Sequence, residues 1–157
     1  MTIQSNAPVA FPLGTTPVTW TATDANGNRA SATQTITVVD SVAPIITAEL
    51  KRIRGGDDED SARFKITMSA KDMIDPNPVV TAILEIAGCQ SIAVGNNQIF
   101  TLVQEDEDDR SKQCKVRIKK GILHINASSA TLVVTAKDHA GNASVKRIQT
   151  PRLYKED

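Results

Sequence analysis

The sequence of 157 residues predicts an all-β protein made of tandem β-sandwich modules, the first of which is cut short. Apolar and polar residues alternate along the segments between turns, which is the pattern of half-buried strands. Such a strand is followed twice by an Asp-x-x-Gly-Asn turn, at Asp24–Asn28 and again at Asp138–Asn142. No segment has the apolar spacing of an amphipathic helix. The duplication favours repeated β modules and argues against an enzyme.

The first module is predicted to occupy residues 1–40. Residues 9–11 are a predicted short strand, and residues 18–23 and 32–39 are predicted to form a hairpin across the first Gly-Asn turn. Trp20 lies in phase with the alternation of its strand, so we expect its ring in a core. A segment of about 40 residues rarely buries enough surface to fold alone. We therefore expect residues 1–40 to be the C-terminal half of a module.

The second module is predicted to be a complete sandwich over residues 41–151, after a linker that ends at Pro44. Strands are predicted in the segments between Gly, Pro, Asn and Asp turns, namely 45–54, 62–70, 79–86, 92–94, 98–103, 115–119, 122–125 and the closing hairpin of 132–149. We expect the segments 92–94 and 98–103 to pair as a hairpin. The acidic runs 57–60 and 105–109 are predicted solvated loops, and residues 152–157 a charged tail.

Composition argues against several classes of partner. Eighteen basic and eighteen acidic side chains cancel, so no global field attracts nucleic acid or an anionic membrane. The few aromatic residues give little material for a platform that stacks sugars or bases. No apolar run approaches the roughly 18 residues of a membrane span, and the first residues lack the features of a signal peptide. We expect neither nucleic-acid binding nor membrane insertion.

Residues 11–24, together with Gly27-Asn28 and residues 35–40, resemble the C-terminal half of a hyalin-repeat (HYR) domain. The second module is similar to related bacterial immunoglobulin-like repeats through Asp72, residues 75–81 and the turn at Asp138–Asn142. The resemblance implies an immunoglobulin-like β-sandwich preceded by a truncated immunoglobulin-like half module, in a secreted or cell-surface protein. It implies neighbouring repeats as partners, with cell-surface proteins, matrix proteins or glycans as further candidates. Many such repeats carry a cysteine where this chain has Ala32, so a disulfide of the first module is expected to be absent, or its partner to be lost with the missing half.

Cys89 and Cys114 lie 25 residues apart within the second module. One interpretation is a disulfide that ties a strand to the far side of an acidic loop, which implies an oxidising compartment. The other is a pair of buried or free thiols. The module type implied by the resemblance favours the disulfide, which would contribute about 3 kcal/mol by the loop-entropy argument.

A Ca²⁺ site is predicted at the junction between the modules. In an immunoglobulin-like sandwich, the loop between the second and third strands and the loop of the last hairpin lie where the chain enters. That placement would gather the carboxylate and amide oxygens that Ca²⁺ prefers. The candidate ligands are Asp40, Asp72, Asp75, Asn77, Asp138 and Asn142. Alternatively, Asp24 and Asp138 bind only the N–H groups of their own turns.

Lys115, Arg117 and Lys119 share one face of a predicted strand. They form either a stripe for an anionic polysaccharide or nucleic acid, or, more simply, the solvent face of an edge strand on which lysine discourages pairing. His124 and His139 are not accompanied by a nucleophile elbow or a metal-binding motif. We predict a non-catalytic extracellular repeat that acts as a structural spacer or adhesion module of a larger secreted or surface protein. The alternative is a carbohydrate- or ligand-binding accessory module of a secreted hydrolase.

Overall fold

The computed structural model describes residues 1–54, 61–103 and 115–151. The all-β prediction is confirmed, because these residues form twelve strands and no helix. The chain divides into two compact units, Met1–Ser41 and Val42–Asp157. The predicted acidic loops at 57–60 and 105–109 and the predicted tail at 152–157 lie outside the described residues.

The first unit is a three-stranded antiparallel sheet. Its strands are β1 (Thr2–Ser5), β2 (Gly14–Thr23) and β3 (Arg29–Val38), in the order β1–β2–β3. The predicted strand at residues 9–11 is wrong, because that segment is irregular and the N-terminal residues pair with β2 instead. Pro8 and Pro12 flank the segment, and neither can donate a hydrogen bond to a neighbouring strand.

The two faces of this sheet differ in chemistry, because cross-strand partners share a face. One face is largely hydroxyl-bearing, with Thr2, Thr15, Thr19, Thr21, Thr23, Thr33, Thr35 and Thr37. The other face holds Ile3, Val18 and Trp20. The prediction that Trp20 lies in a core is wrong, because its side chain is 41% exposed and its Nε1–H donates to Gln34 Oε1 at 3.2 Å. Residues 1–41 form a single sheet, and on this face Val18 is buried whereas the ring of Trp20 is left partly uncovered.

The second unit is a sandwich of two sheets. Its strands are β4 (Ile45–Ile53), β5 (Ser61–Lys71), β6 (Val79–Glu85), β7 (Ile92–Val94), β8 (Ile99–Val103), β9 (Val116–Lys119), β10 (Ile122–Asn126), β11 (Thr131–Lys137) and β12 (Ala143–Gln149). The five-stranded sheet has the order β4–β5–β8–β10–β9, and the four-stranded sheet has the order β12–β11–β6–β7. The sets β4–β5–β8 and β12–β11–β6 correspond to the two layers of an immunoglobulin-like sandwich. The β9–β10 hairpin extends the first layer, with β10 parallel to β8.

Alternate residues of both sheets meet in one hydrophobic core. Phe64 of β5 and Phe100 of β8 are fully buried and stack with ring centroids 5.5 Å apart. The other fully buried core side chains of this unit include Ile66, Leu84, Leu102, Ile125, Leu132 and Val134. Successive side chains of a strand point to opposite faces of its sheet. The residues that lie between the core residues therefore form the outer faces of the two sheets.

The predicted hairpin between residues 92–94 and 98–103 is wrong. β7 pairs with β6 in one sheet, whereas β8 pairs with β5 in the other, so the chain crosses the sandwich between them. Two hydrogen bonds, each 2.9 Å long, hold the crossing segment to Ile66 of β5. The Asn97 N–H donates to the Ile66 carbonyl, and the Ile66 N–H donates to the Gln98 carbonyl. A turn between two segments of alternating apolar and polar residues therefore predicts that the chain reverses direction. It does not predict to which sheet each of the two strands belongs.

Candidate functional site

The two Asp-x-x-Gly-Asn turns are built in the same way. Asp138 accepts the Asn142 N–H through Oδ1 and the Asn142 amide through Oδ2, both at 2.8 Å. In the first unit, Asp24 binds the corresponding groups of Asn28 at 2.9 and 2.8 Å. The glycine of each turn has a positive φ, 84° at Gly27 and 100° at Gly141, which an L side chain rarely adopts. Local hydrogen bonding therefore accounts for the repeated motif at both positions.

The carboxyl groups of both turns are held in the ionised form. The side-chain and backbone N–H groups of Asn28 lower the pKa of Asp24. Burial is the largest influence on Asp138 and raises its pKa, but the bonds from Asn142, Gly141 and Ala140 together outweigh it and leave the pKa below its ordinary value. Asp138 therefore carries a negative charge in a buried position at neutral pH.

The loop between β5 and β6 is rigidified by two aspartates in succession. Asp72 Oδ1 accepts the N–H groups of Ile74 and Asp75 at 2.8 and 2.9 Å. Asp75 Oδ1 then accepts the N–H of Asn77 at 2.9 Å. These are Asx turns, in which a side chain satisfies backbone donors that have no strand partner. Asn77, a candidate ligand, supplies its backbone N–H to this arrangement.

A histidine joins the β5–β6 loop to the β11–β12 turn. The backbone N–H and the Nδ1 of His139 lie 3.0 and 2.8 Å from Asp75 Oδ2. The Asn77 N–H is the largest cause of the lowered pKa of Asp75; burial opposes it, and the contacts with His139 add to it. His139 was not among the predicted site residues, and its place beside Asp138 in the sequence was the only available signal. Oδ2 of Asp75 thus holds the two loops together, while Oδ1 stabilises the β5–β6 loop itself.

Asp72 and Asp138 bring two carboxylates close together at this end of the second unit. One oxygen of each lies within 4.8 Å of the other. Asp72 Oδ2 is buried and has no hydrogen-bond partner. A buried carboxylate oxygen without a donor, in a residue close to a second carboxylate, is a candidate ligand for a cation. Asp40 belongs to the first unit, and its contribution to this site stays a prediction.

Cys89 follows β6 in a turn, where its N–H donates to the carbonyl of Ile86 at 3.0 Å. Its side chain packs against the hydrophobic core and is not a free thiol. Cys114 lies outside the described residues, so the pairing of the two cysteines stays a prediction.

Comparison with known proteins places only part of the chain. In the described part of the chain, no helix is long and apolar enough to cross a membrane. Neither a curated protein nor a solved structure matches the sequence. Residues 2–38, which contain all three strands of the first unit, match the family model of the HYR domain, an adhesion-type repeat that occurs in extracellular proteins.

Proposed function

We propose that this chain is a non-catalytic extracellular module that acts as a structural spacer or adhesion repeat in a larger secreted or surface protein. The observation that carries the proposal is the HYR match at residues 2–38, followed within a few residues by a second β unit of immunoglobulin-like topology. Tandem β units joined by a short segment containing Pro44 suit a role in spacing or display. The β5–β6 loop and the β11–β12 turn of the second unit are closed by hydrogen bonds within the chain, as a structural repeat requires.

The Asp75–His139 pair gives this proposal a sharp test, because a carboxylate bound to an imidazole is also a feature of catalytic sites. We expect the full chain to show no turnover of ester, phosphate, glycoside or peptide substrates. We also expect His139→Ala to leave that result unchanged. Turnover by the purified chain that His139→Ala abolishes would overturn the non-catalytic role.

The function proposed here includes Ca²⁺ binding by Asp72 and Asp138. The support is the unpartnered Oδ2 of Asp72, together with the approach of one carboxylate oxygen of Asp72 to within 4.8 Å of one carboxylate oxygen of Asp138. A Ca²⁺ ion takes six to eight oxygens, so backbone carbonyls and water would complete the shell. The ion would neutralise the two carboxylates and hold the β5–β6 loop to the β11–β12 turn.

Thermal unfolding tests the cation. We expect a higher melting temperature for the full chain in Ca²⁺ than in chelator. At a free Ca²⁺ concentration of about one hundred times Kd, binding would raise the free energy of unfolding by about 2.7 kcal/mol. Asp72→Asn should abolish the difference, because it removes the charge of the unpartnered oxygen. Asp24→Asn is the control, since it alters the equivalent turn in the first unit and should keep the Ca²⁺ response. A melting temperature of the unmutated chain that chelator does not change would remove the cation from the proposal.

A second candidate function is a carbohydrate-binding accessory module of a secreted hydrolase. One feature favours it, namely the concentration of positive charge on the outer face of the five-stranded sheet.

A further inference from the structure

The outer face of the five-stranded sheet is strongly basic although the whole chain has no net charge. The charged strand residues whose register places them on this face are Glu49 and Lys51 of β4, Arg63, Lys65 and Lys71 of β5, and Arg117 and Lys119 of β9. Among the described strand residues, Glu49 is the single carboxylate of this group. We refer to this surface as the basic face.

A continuous row of polar side chains crosses the basic face. Arg63 pairs with Thr101, Thr101 with His124, and His124 with Arg117, so the four residues stand side by side on β5, β8, β10 and β9. Neighbouring strands lie about 4.8 Å apart, so the row spans roughly 14 Å. Two arginines therefore stand at its ends, with a hydroxyl and an imidazole between them.

Two buried polar atoms in this row lack partners. The hydroxyl of Thr101 has no hydrogen bond although the residue is only 2% exposed, and the buried Nε of Arg63 has none either. Buried polar groups in native proteins are nearly always satisfied, by protein or by another molecule. The ion pairs His139–Asp75 and Arg147–Glu85 both lie away from this row. Both atoms are buried, so the row holds unsatisfied hydrogen-bonding groups just beneath the positive charges of the basic face.

A shallow groove lies at the β9 end of the row. Its volume is about 210 Å³, and its polar lining comes from Lys115, Arg117, Lys119, His124 and Asn126. Sites that enclose a whole small molecule usually measure about 300–1,000 Å³. The smaller, open groove suits one charged unit of a longer chain that continues across the sheet.

We propose that the basic face binds an anionic polysaccharide through its sulfate or carboxylate groups. Arginine forms paired hydrogen bonds with such planar or tetrahedral anions, and the imidazole of His124 and the amide of Asn126, which line the groove, suit a ligand rich in hydroxyls. Protection of an edge strand explains lysine on β9, but it does not explain Arg63 and Lys65 on β5, which lies inside the sheet.

Nucleic acid is the less suitable polyanion for this surface. Binding of single strands relies on aromatic side chains on which bases stack. Phe64 and Phe100, the aromatic residues of the described part of the second unit, are buried and stack on each other. The basic face therefore offers charge and hydrogen bonds without a stacking surface.

Binding of the full chain to heparin and to polygalacturonate tests the proposal, with neutral dextran and a 20-base single-stranded DNA as comparisons. We expect measurable affinity for at least one of the two anionic polysaccharides, weakening with salt, and none for dextran. Replacing both Arg63 and Arg117 with glutamine should weaken this binding by about tenfold or more, since two charge-assisted contacts are lost. The matched control, Arg29→Gln with Lys146→Gln, removes equal charge from the first unit and from β12 and should change affinity by less than about twofold.

Circular dichroism first establishes that each variant is folded. If Arg63→Gln perturbs folding, Lys65→Gln with Lys119→Gln tests the same face. No affinity for either polysaccharide, equal affinity in test and control variants, or tighter binding to DNA would each overturn the proposal. The inference relies on the proposed module role only for its extracellular setting. Absence of binding leaves the spacer role intact, whereas catalytic turnover would overturn the spacer role whatever the binding result.

Discussion

Replacing Phe100 with alanine is expected to destabilise the second unit by about 3–5 kcal/mol. Phe100 is fully buried between the two sheets and stacks on Phe64, so truncation loses apolar burial and leaves a cavity. Domains of this size are stable by only about 5–15 kcal/mol, so the loss would remove much of the stability. Urea unfolding followed by circular dichroism measures the change.

Ile118→Ala is the control for this substitution. Ile118 lies on the edge strand β9 and is 76% exposed, so its truncation should change stability by less than about 0.5 kcal/mol. A loss below about 1 kcal/mol for Phe100→Ala would contradict a core shared by β5 and β8.

Acidification is expected to destabilise the second unit as the pH falls below about 4. Hydrogen bonds hold the pKa values of Asp75 and Asp138 below the ordinary value of 3.8, so the unfolded chain binds protons more readily than the folded one. Their contribution to stability is therefore complete above the unfolded pKa and is lost as the pH falls through the folded values. Unfolding measured between pH 7 and pH 2.5 should show this decline.

Asp75→Asn and Asp138→Asn should each lower the stability at pH 7 and make its decline in acid shallower. The reason is that an amide replaces one acceptor oxygen with a donor and does not titrate. Glu49→Gln removes an exposed carboxylate from β4 and controls for net charge. Variants that lose stability in acid as steeply as the original chain would show that other groups govern the transition.

Local sequence patterns predicted the strands whose side chains alternate and whose ends carry turn residues. The alternation at 62–70 placed Phe64 and Ile66 in the core, as the structure confirms. The same reasoning failed for Trp20. Alternation along a strand shows which residues share a face of the sheet, but it does not show whether other residues cover that face. The reasoning also failed for residues 92–94, because three residues carry too little information to select one sheet over the other.

The candidate sites show the same division between local and long-range information. The turn at Asp138–Asn142 is local, so its aspartate, glycine and asparagine were visible in the sequence. The bonds between Asp75 and His139 depend on how two loops far apart in the chain approach each other. The row from Arg63 to Arg117 depends on the register of β8 with β10, a parallel pairing that alternation cannot specify.

Isolation of residues 42–157 is the most direct test of the central claim, that a complete sandwich follows a separate three-stranded sheet. All the strands that build the hydrophobic core, from β4 to β12, lie within this fragment. We expect a cooperative β-type unfolding transition, with a melting temperature close to that of the same unit in the full chain. A fragment whose circular dichroism is that of an unfolded chain would show that the sandwich requires the first unit and would contradict the division.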